Sequence, residues 1–125
     1  MIHIKHFWKS FKHALRGVGV VFKNEQSFRI QVICAVFVVF ASALFRIKVY
    51  EWILVLLLIG SVLSLEMINS ILERIVDSFK PRIHPIVKDI KDVMAGTVFV
   101  ASVISAIVGL IIFYPYLEKL VSMLS

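Results

Sequence analysis

The sequence has very few of the residues from which disulfide frameworks and zinc sites are built. Its only cysteine, Cys34, lies inside an apolar run, and one thiol can form neither an intrachain disulfide nor a metal site. The four histidines, His3, His6, His13 and His84, lack the H-E-x-x-H spacing of zinc hydrolases. A disulfide scaffold and a histidine–zinc enzyme are therefore excluded.

Glycine is also scarce, with five residues, and none of them forms a phosphate-binding loop. The pattern G-x4-G-K-[ST] is absent, no dinucleotide-binding fingerprint follows a strand, and there is no G-x-S-x-G. What remains is chemistry that uses oxygen ligands from side chains.

Apolar residues, in contrast, are abundant. They make up 60% of the 125 residues, and the mean hydropathy is +0.94. This share is far above that of a soluble domain. The composition predicts an all-α integral membrane protein with one domain, residues 1–125, which is too short for two ordinary domains.

Three apolar runs are long enough to cross a membrane as helices, which takes about 20 residues. They are residues 30–45, 52–79 and 93–114. Helix is the only suitable structure, because a span must satisfy its own backbone hydrogen bonds. Pro115 is expected to end the third span, and two prolines in residues 80–92 are expected to separate the second from the third.

Residues 5–23 have a different pattern, with apolar and basic residues on opposite faces of a predicted helix. Such a helix lies in the headgroup plane of a membrane. Eleven lysines and arginines precede span one or lie between the apolar parts of spans two and three, against three elsewhere. The positive-inside rule then places the N-terminus in the cytoplasm and the C-terminus outside.

The second span carries a polar stripe about 80° wide, formed by Glu66, Asn69, Glu73 and Asp77. Glu66 is expected about 21 Å below Trp52, still within a hydrocarbon core about 30 Å thick. A carboxylate at that depth is costly unless it has a function or a partner. Pairing with Arg74 or Lys88 is an equal alternative for Asp77, but no cation is available at the depth of Glu66.

The charged residues near the inner interface suit phosphoryl transfer. Glu25 and Glu73 could hold Mg²⁺, which prefers one or two carboxylates and phosphate oxygens. Lys91, next to Asp92, supplies a cation for phosphate. Glu66 lies where the hydroxyl of a lipid would sit and could act as a base.

Four segments resemble the prokaryotic diacylglycerol kinase family, in order and at matching spacing. They are "EMINSILERIVD" (66–77), "HPIVKDIKDVMAGTV" (84–98), "FKHALRG" (11–17) and "NEQSFR" (24–29). The resemblance implies a homotrimer of three-span subunits in the bacterial inner membrane, with ATP and lipid sites shared between neighbours and no nucleic-acid partner. It also implies that Glu66 is the general base and that Glu25 and Glu73 bind Mg²⁺ with ATP. The remaining residues of the nucleotide and catalytic shell would be Asn69, Asp77, Lys91 and Asp92.

Some questions stay open at this point. The C-terminal stretch "IVGLIIFYPYL" favours undecaprenol as the lipid acceptor, and diacylglycerol is the alternative. A small ion or proton pathway is a third reading, but a pathway requires ionisable groups through the whole depth, and the outer parts of the predicted spans have none. No role follows for Gln31, His13 or His84.

Overall fold

The structure, a computed structural model, describes residues 2–78 and 85–125, and this part of the chain is built from four helices. They are α1 (Ile4–Asn24), α2 (Gln26–Phe45), α3 (Val49–Asp77) and α4 (Pro85–Leu124). Helix α3 is central, since it contacts each of the other three.

Helices α2, α3 and α4 are each long and apolar enough to cross a bilayer. The prediction of an all-α protein with three membrane-crossing helices is therefore confirmed. Each of them begins earlier in the sequence than its apolar run, because polar and charged residues form its first turns.

A single residue, Glu25, joins α1 to α2. Its N–H donates to the carbonyl of Val21, and its own carbonyl accepts from the N–H of Arg29, at 2.8 and 3.2 Å. The Arg29 guanidinium donates to the carbonyls of Phe22 and Lys23, at 2.9 and 2.7 Å. The last carbonyls of a helix need such donors, and a cation there is favourable. Hydrogen bonds therefore connect the junction at Glu25 to the end of α1 and to the first turn of α2.

Helix α3 begins at Val49, three residues before the predicted start at Trp52. The carboxylate of Glu51 accepts a hydrogen bond of 2.9 Å from the N–H of Lys48, which caps the first turn. The expectation that the outer parts of the spans carry no ionisable group was therefore wrong, because Glu51 is buried there. Residues 52–65 of α3 nevertheless contain none, which leaves about 22 Å of helix between Glu51 and Glu66.

Helix α4 differs most from its prediction of 93–114. It starts at Pro85, and Pro115 lies inside it. Proline suits the first position of a helix, where its missing N–H is not needed. A proline in a membrane-crossing helix is also tolerated where neighbouring groups compensate for the lost hydrogen bond. The predicted end of span two at residue 79, together with Pro81 and His84, lies outside the described residues.

The apolar core is at the end of the bundle where α2 turns into α3. Ile47, Val55 and Ile112 form its buried centre, and the rings of Phe45, Phe113 and Tyr116 pack around it. The Tyr116 hydroxyl donates to the Glu51 carboxylate and so joins α4 to α3 at this end. The polar stripe of α3 lies toward the other end.

Candidate active site

Three polar residues are buried on α3 toward the end remote from this core. Glu66, Asn69 and Ser70 are 5%, 9% and 2% exposed, respectively. They fall on one face of the helix because steps of three and four residues return to the same side. Burial of polar groups is costly unless hydrogen bonds or ligands satisfy them. Three buried polar groups on one face therefore mark this part of α3 as a candidate functional site.

Two hydrogen bonds from this face position further carboxylates. The Ser70 hydroxyl donates to Glu25 Oε1 at 3.0 Å, which fixes the α1–α2 junction against α3. The Asn69 amide donates to Glu73 Oε1 at 3.3 Å, within α3. Glu25, Glu66 and Glu73, which we call the carboxylate cluster, are thus brought together from two parts of the chain.

The cluster is electrostatically incomplete. Glu66 interacts with the like charges of Glu25 and Glu73, and neither it nor they have an ion-pair partner among residues 2–78 and 85–125. In addition, Asn69 Oδ1 is buried without a hydrogen-bond partner in the described part of the chain. Adjacent carboxylates repel one another at low dielectric unless a cation neutralises them. Carboxylate oxygens whose charge no lysine or arginine neutralises are the ligands that a hard cation such as Mg²⁺ prefers.

A separate ion pair links α3 to α4. Lys91 Nζ contacts Asp77 Oδ1, and both side chains are partly exposed. One alternative predicted for Asp77 was an ion pair that holds two helices together. The structure shows such a pair, but with Lys91 in place of the predicted Arg74 or Lys88.

Asp92 is not brought into the cluster. It is exposed, and the described residues give it no hydrogen bond or ion pair. One chain therefore gathers Glu25, Glu66, Asn69 and Glu73, with the Asp77–Lys91 pair one turn of α3 beyond Glu73.

Two residues of this region had no role in the sequence reasoning. Ser70 lies four residues after Glu66, about 40° around the helix, so the polar stripe includes it. The sequence prediction named only the carboxylates and the amide of the stripe and did not include this hydroxyl. Gln31 of α2 lies against the Glu66 carboxylate. Only the packing of α2 on α3 could show this, since the two residues are far apart in sequence.

Comparison with known proteins identifies the family to which the chain belongs. Residues 12–113 match the family model described as prokaryotic diacylglycerol kinase. The chain is 40% identical over 114 residues to an undecaprenol kinase of Bacillus subtilis, covering 91% of this chain and 93% of the relative.

Two diacylglycerol kinases are also similar. One from Synechocystis is 32% identical over 112 residues, covering 89% of this chain and 64% of the relative. One from Haemophilus influenzae is 31% identical over 112 residues, covering 89% and 95%. The region matched by the family model includes the whole carboxylate cluster and the Asp77–Lys91 pair. The resemblance found in the motifs is thereby confirmed, and the chain belongs to the prokaryotic diacylglycerol kinase family.

Proposed function

We propose that this protein transfers the γ-phosphoryl group of ATP to the hydroxyl of a membrane lipid, which we assign as undecaprenol. The observation that carries the proposal is the carboxylate cluster, in which Glu66 is buried on a membrane-crossing helix, Glu25 and Glu73 are half-buried, and none of the three has a cation partner among the described residues. A kinase uses such a cluster to hold Mg²⁺ and to take a proton.

The donor set fits Mg²⁺. No group of three or more histidine, cysteine or acidic residues in the described part of the chain is arranged to hold a metal by itself. Mg²⁺ in kinases needs only one or two carboxylates, since phosphate oxygens and water complete its octahedron. Glu25 and Glu73 would supply them, with Ser70 and Asn69 orienting their oxygens through the two hydrogen bonds described. Bound with ATP, the ion would neutralise charge on the phosphates.

Glu66 is the residue that we assign as general base. In the transfer, its carboxylate accepts the proton of the lipid hydroxyl while the lipid oxygen forms a bond to the γ-phosphorus. The bond from that phosphorus to the β–γ bridging oxygen breaks, and ADP leaves with its electron pair. With the proposed orientation, this carboxylate would lie toward the inner end of the span, at the depth of a lipid hydroxyl. Asn69 orients the adjacent Glu73, and Lys91, held by Asp77, supplies positive charge to the phosphates.

We further propose that the site is completed in a homotrimer. Asp92, which the resemblance places in the catalytic shell, is exposed on α4 and has no partner among the described residues. A neighbouring subunit that covers this part of α4 would bring Asp92 to its own cluster. Shared sites of this kind explain why one chain gathers only part of the catalytic residues.

The location proposed is the bacterial inner membrane, with the carboxylate cluster at the cytoplasmic face. The excess of lysine and arginine before α2 and between α3 and α4 supports this orientation. Helix α1 would lie on the same face, with Phe7, Phe11 and Leu15 in the acyl region. ATP then reaches the site from the cytoplasm.

The lipid acceptor is assigned from similarity. The undecaprenol kinase is 40% identical to the chain, and the two diacylglycerol kinases are 31% and 32% identical. The test is to supply purified protein with labelled ATP and Mg²⁺ and either undecaprenol or dioleoylglycerol in detergent micelles. Faster labelling of undecaprenol supports the assignment, faster labelling of dioleoylglycerol transfers it to the alternative, and labelling of neither lipid contradicts the kinase function.

A further inference from the structure

A pocket of about 540 Å³ lies between α3 and α4 at the end of the bundle remote from the carboxylate cluster. Glu51 and Tyr116, whose side chains join the two helices there, form part of its wall. Residues 52–65, which contain no ionisable group, separate it from Glu66 by about 22 Å of helix. The pocket is therefore not part of the candidate active site.

Two lysines line this pocket, although they are far apart in the sequence. Lys48 directly precedes α3, and Lys119 lies near the end of α4. Of the 14 lysines and arginines in the chain, only these two and Arg46 lie outside residues 5–29 and 74–91. The fold thus brings two of the three remaining cations to one pocket.

The charge of these lysines is available to a ligand. Neither ammonium group has an ion-pair partner in the described part of the chain. The Glu51 carboxylate lies near Lys48, but its hydrogen bonds come from the Lys48 backbone N–H and the Tyr116 hydroxyl. Lys48 Nζ lies 5.7 Å from the centroid of the Tyr50 ring, and a cation–π contact leaves an ammonium group able to donate elsewhere. Two ammonium groups and one carboxylate give the pocket one net positive charge.

The rest of the wall is mostly apolar. On α4 it extends from Lys119 to Val108, about 16 Å along the helix, and Leu54 lines it from α3. Both helices are apolar enough to cross a membrane. Tyrosines such as Tyr50 and Tyr116, which also line the pocket, are typical of the headgroup level of a bilayer. The two ammonium groups are therefore expected among the headgroups, with the apolar wall continuing into the acyl region.

We propose that this pocket binds an anionic phospholipid, with its phosphate paired to Lys48 and Lys119 and the start of an acyl chain along the apolar wall. Basic pockets between membrane-crossing helices bind anionic headgroups in this way. The inference goes beyond the kinase function and does not rest on it, because the pocket lies at the opposite end of the bundle. In the proposed orientation, the bound lipid belongs to the outer leaflet.

A free anion and a second copy of the chain match the pocket less well. Inorganic phosphate would pair with the lysines but would leave the apolar wall without a partner. A second copy would have to supply acidic side chains, and in the described part of this end only Glu118 has an exposed carboxylate. A phospholipid supplies both the negative charge and the hydrocarbon.

Quenching of tryptophan fluorescence by brominated lipid measures lipid contact at one position. Leu54 is 42% exposed and lines the pocket, and its neighbour Ile53 is 54% exposed and does not. Leu54→Trp and Ile53→Trp are each made in a Trp8→Phe/Trp52→Phe background, so that each protein has one tryptophan. The two reporters differ in depth by only about 1.5 Å.

Each protein is reconstituted in phosphatidylcholine nanodiscs that contain a small fraction of brominated phosphatidylglycerol or, in parallel, of brominated phosphatidylcholine. Quenching in the Leu54→Trp protein should show about fivefold preference for phosphatidylglycerol, the effect of one net charge near a membrane surface. In the Ile53→Trp protein the two lipids should quench almost equally. Equal quenching by both lipids in the Leu54→Trp protein would overturn the proposal.

Removal of the lysines tests the phosphate contact. Lys48→Gln/Lys119→Gln keeps the backbone N–H that caps α3, and in the Leu54→Trp protein it should abolish the preference for phosphatidylglycerol. The matched control is Arg46→Gln, which removes an exposed cation of the same end that does not line the pocket and should leave the preference unchanged. An equal loss in both variants would reveal a general charge effect and contradict the pocket. Thermal unfolding in lipid-free detergent checks that the variants are folded, and the comparison of the two reporters does not depend on them.

Two further measurements distinguish the other occupants. Inorganic phosphate, exchanged for chloride at constant ionic strength, should not reduce the preference for phosphatidylglycerol; its loss would assign the pocket to a free anion and overturn the lipid proposal. Quenching by neither lipid in the Leu54→Trp protein until oligomers dissociate would show that a second copy covers the pocket, and would overturn it as well. None of these measurements uses ATP, so their outcome is separate from that of the kinase assay.

Discussion

Glu66 is the residue whose surroundings most restrict its chemistry. It is 5% exposed, has carboxylates on both sides, and its neighbour across the helix interface is the neutral Gln31. Burying a carboxylate without a cation is costly, so such a residue is expected where its negative charge has a function. Proton acceptance is such a use, because it needs an oxygen that is not already neutralised by a lysine or arginine.

Glu66→Gln should therefore remove turnover and leave the site assembled. The amide has the same shape and can still pair with Gln31, but it cannot accept the lipid proton. We expect kcat to fall roughly 10²- to 10⁴-fold with the KM for ATP little changed. Steady-state kinetics of the folded variant are the measurement, and Glu118→Gln, at an exposed position near the C-terminus, is the control. A variant with near-normal kcat would exclude Glu66 as the base.

The metal assignment gives a different signature. Glu25→Gln and Glu73→Gln replace a hard oxygen ligand by a poor one, so each should raise the Mg²⁺ concentration that gives half-maximal rate. Ser70→Ala should do the same more weakly, because it removes only the hydroxyl that orients Glu25. Titration of activity with Mg²⁺ at saturating ATP is the measurement. An unchanged Mg²⁺ requirement in Glu25→Gln or Glu73→Gln would remove that residue from the metal site.

At the scale of elements, α4 is held at both of its ends by contacts to α3. Asp77–Lys91 joins them at one end and Glu51–Tyr116 at the other. The second contact explains how the helix continues past Pro115: Tyr116, the next residue, is anchored by its hydroxyl and by its ring against Phe45. These two contacts thus hold the helix to α3 and α2 at the residue directly after Pro115.

Tyr116→Phe tests this anchor. The variant keeps the ring but leaves the buried Glu51 carboxylate with only the Lys48 N–H as a donor, which should cost about 1–3 kcal/mol of stability. Thermal unfolding in detergent should show a lower midpoint, with lipid phosphorylation near normal below it. Tyr114→Phe, at an exposed ring, is the matched control and should not shift the midpoint. Equal midpoints for the two variants would contradict the anchoring role of Glu51.

The helices themselves were largely predictable, and the places where prediction failed have physical causes. The apolar runs predicted the positions of α2, α3 and α4. An apolar run indicates which residues contact hydrocarbon, however, and does not indicate where the helix begins or ends. Gln26, Glu51 and Lys88 lie within helices because caps and backbone hydrogen bonds extend a helix into water. Pro115 was expected to end α4 because proline disrupts a helix. The contacts of Tyr116 that hold the helix together after it depend on the packing of α4 on α3 and α2, which the sequence does not show.

The site was predictable only where its residues share a helix or a motif. Glu66, Asn69 and Glu73 follow from the period of α3, and the family motif implies their roles. Gln31 and the Ser70–Glu25 bond could not be foreseen, because they depend on how α2 and the α1–α2 junction pack on α3.

At the scale of the whole molecule, the exposed position of Asp92 is the observation on which the proposed homotrimer rests. Its carboxylate lies on α4 away from the carboxylate cluster, and the described residues give it no partner. A second chain is the simplest way to bring Asp92 and Glu66 to one lipid hydroxyl and one nucleotide.

Subunit mixing is the corresponding test. Glu66→Gln and Asp92→Asn subunits, each inactive alone, are combined under conditions that permit exchange, and activity is measured as mixed oligomers form. If Glu66 and Asp92 of different chains form one site, some sites in mixed oligomers regain both residues and activity returns in part. Failure to recover activity, with exchange demonstrated by differently tagged subunits, would place both residues in one chain.

The one-residue junction at Glu25 has a mechanical consequence. Since α1 ends and α2 begins at this residue, and Arg29 ties the two helices together, α1 cannot roll or sink at the membrane surface without carrying the Glu25 carboxylate with it. With α1 at the membrane surface and Glu25 binding Mg²⁺, as we propose, the helix is a lever whose short arm carries the proposed metal ligand. Catalysis should then respond to lateral pressure among the lipid headgroups, and kcat measured in bilayers of graded headgroup packing should vary. Inserting two glycines between Glu25 and Gln26 should allow α1 to move independently of α2. The dependence of kcat on headgroup packing should then become weaker.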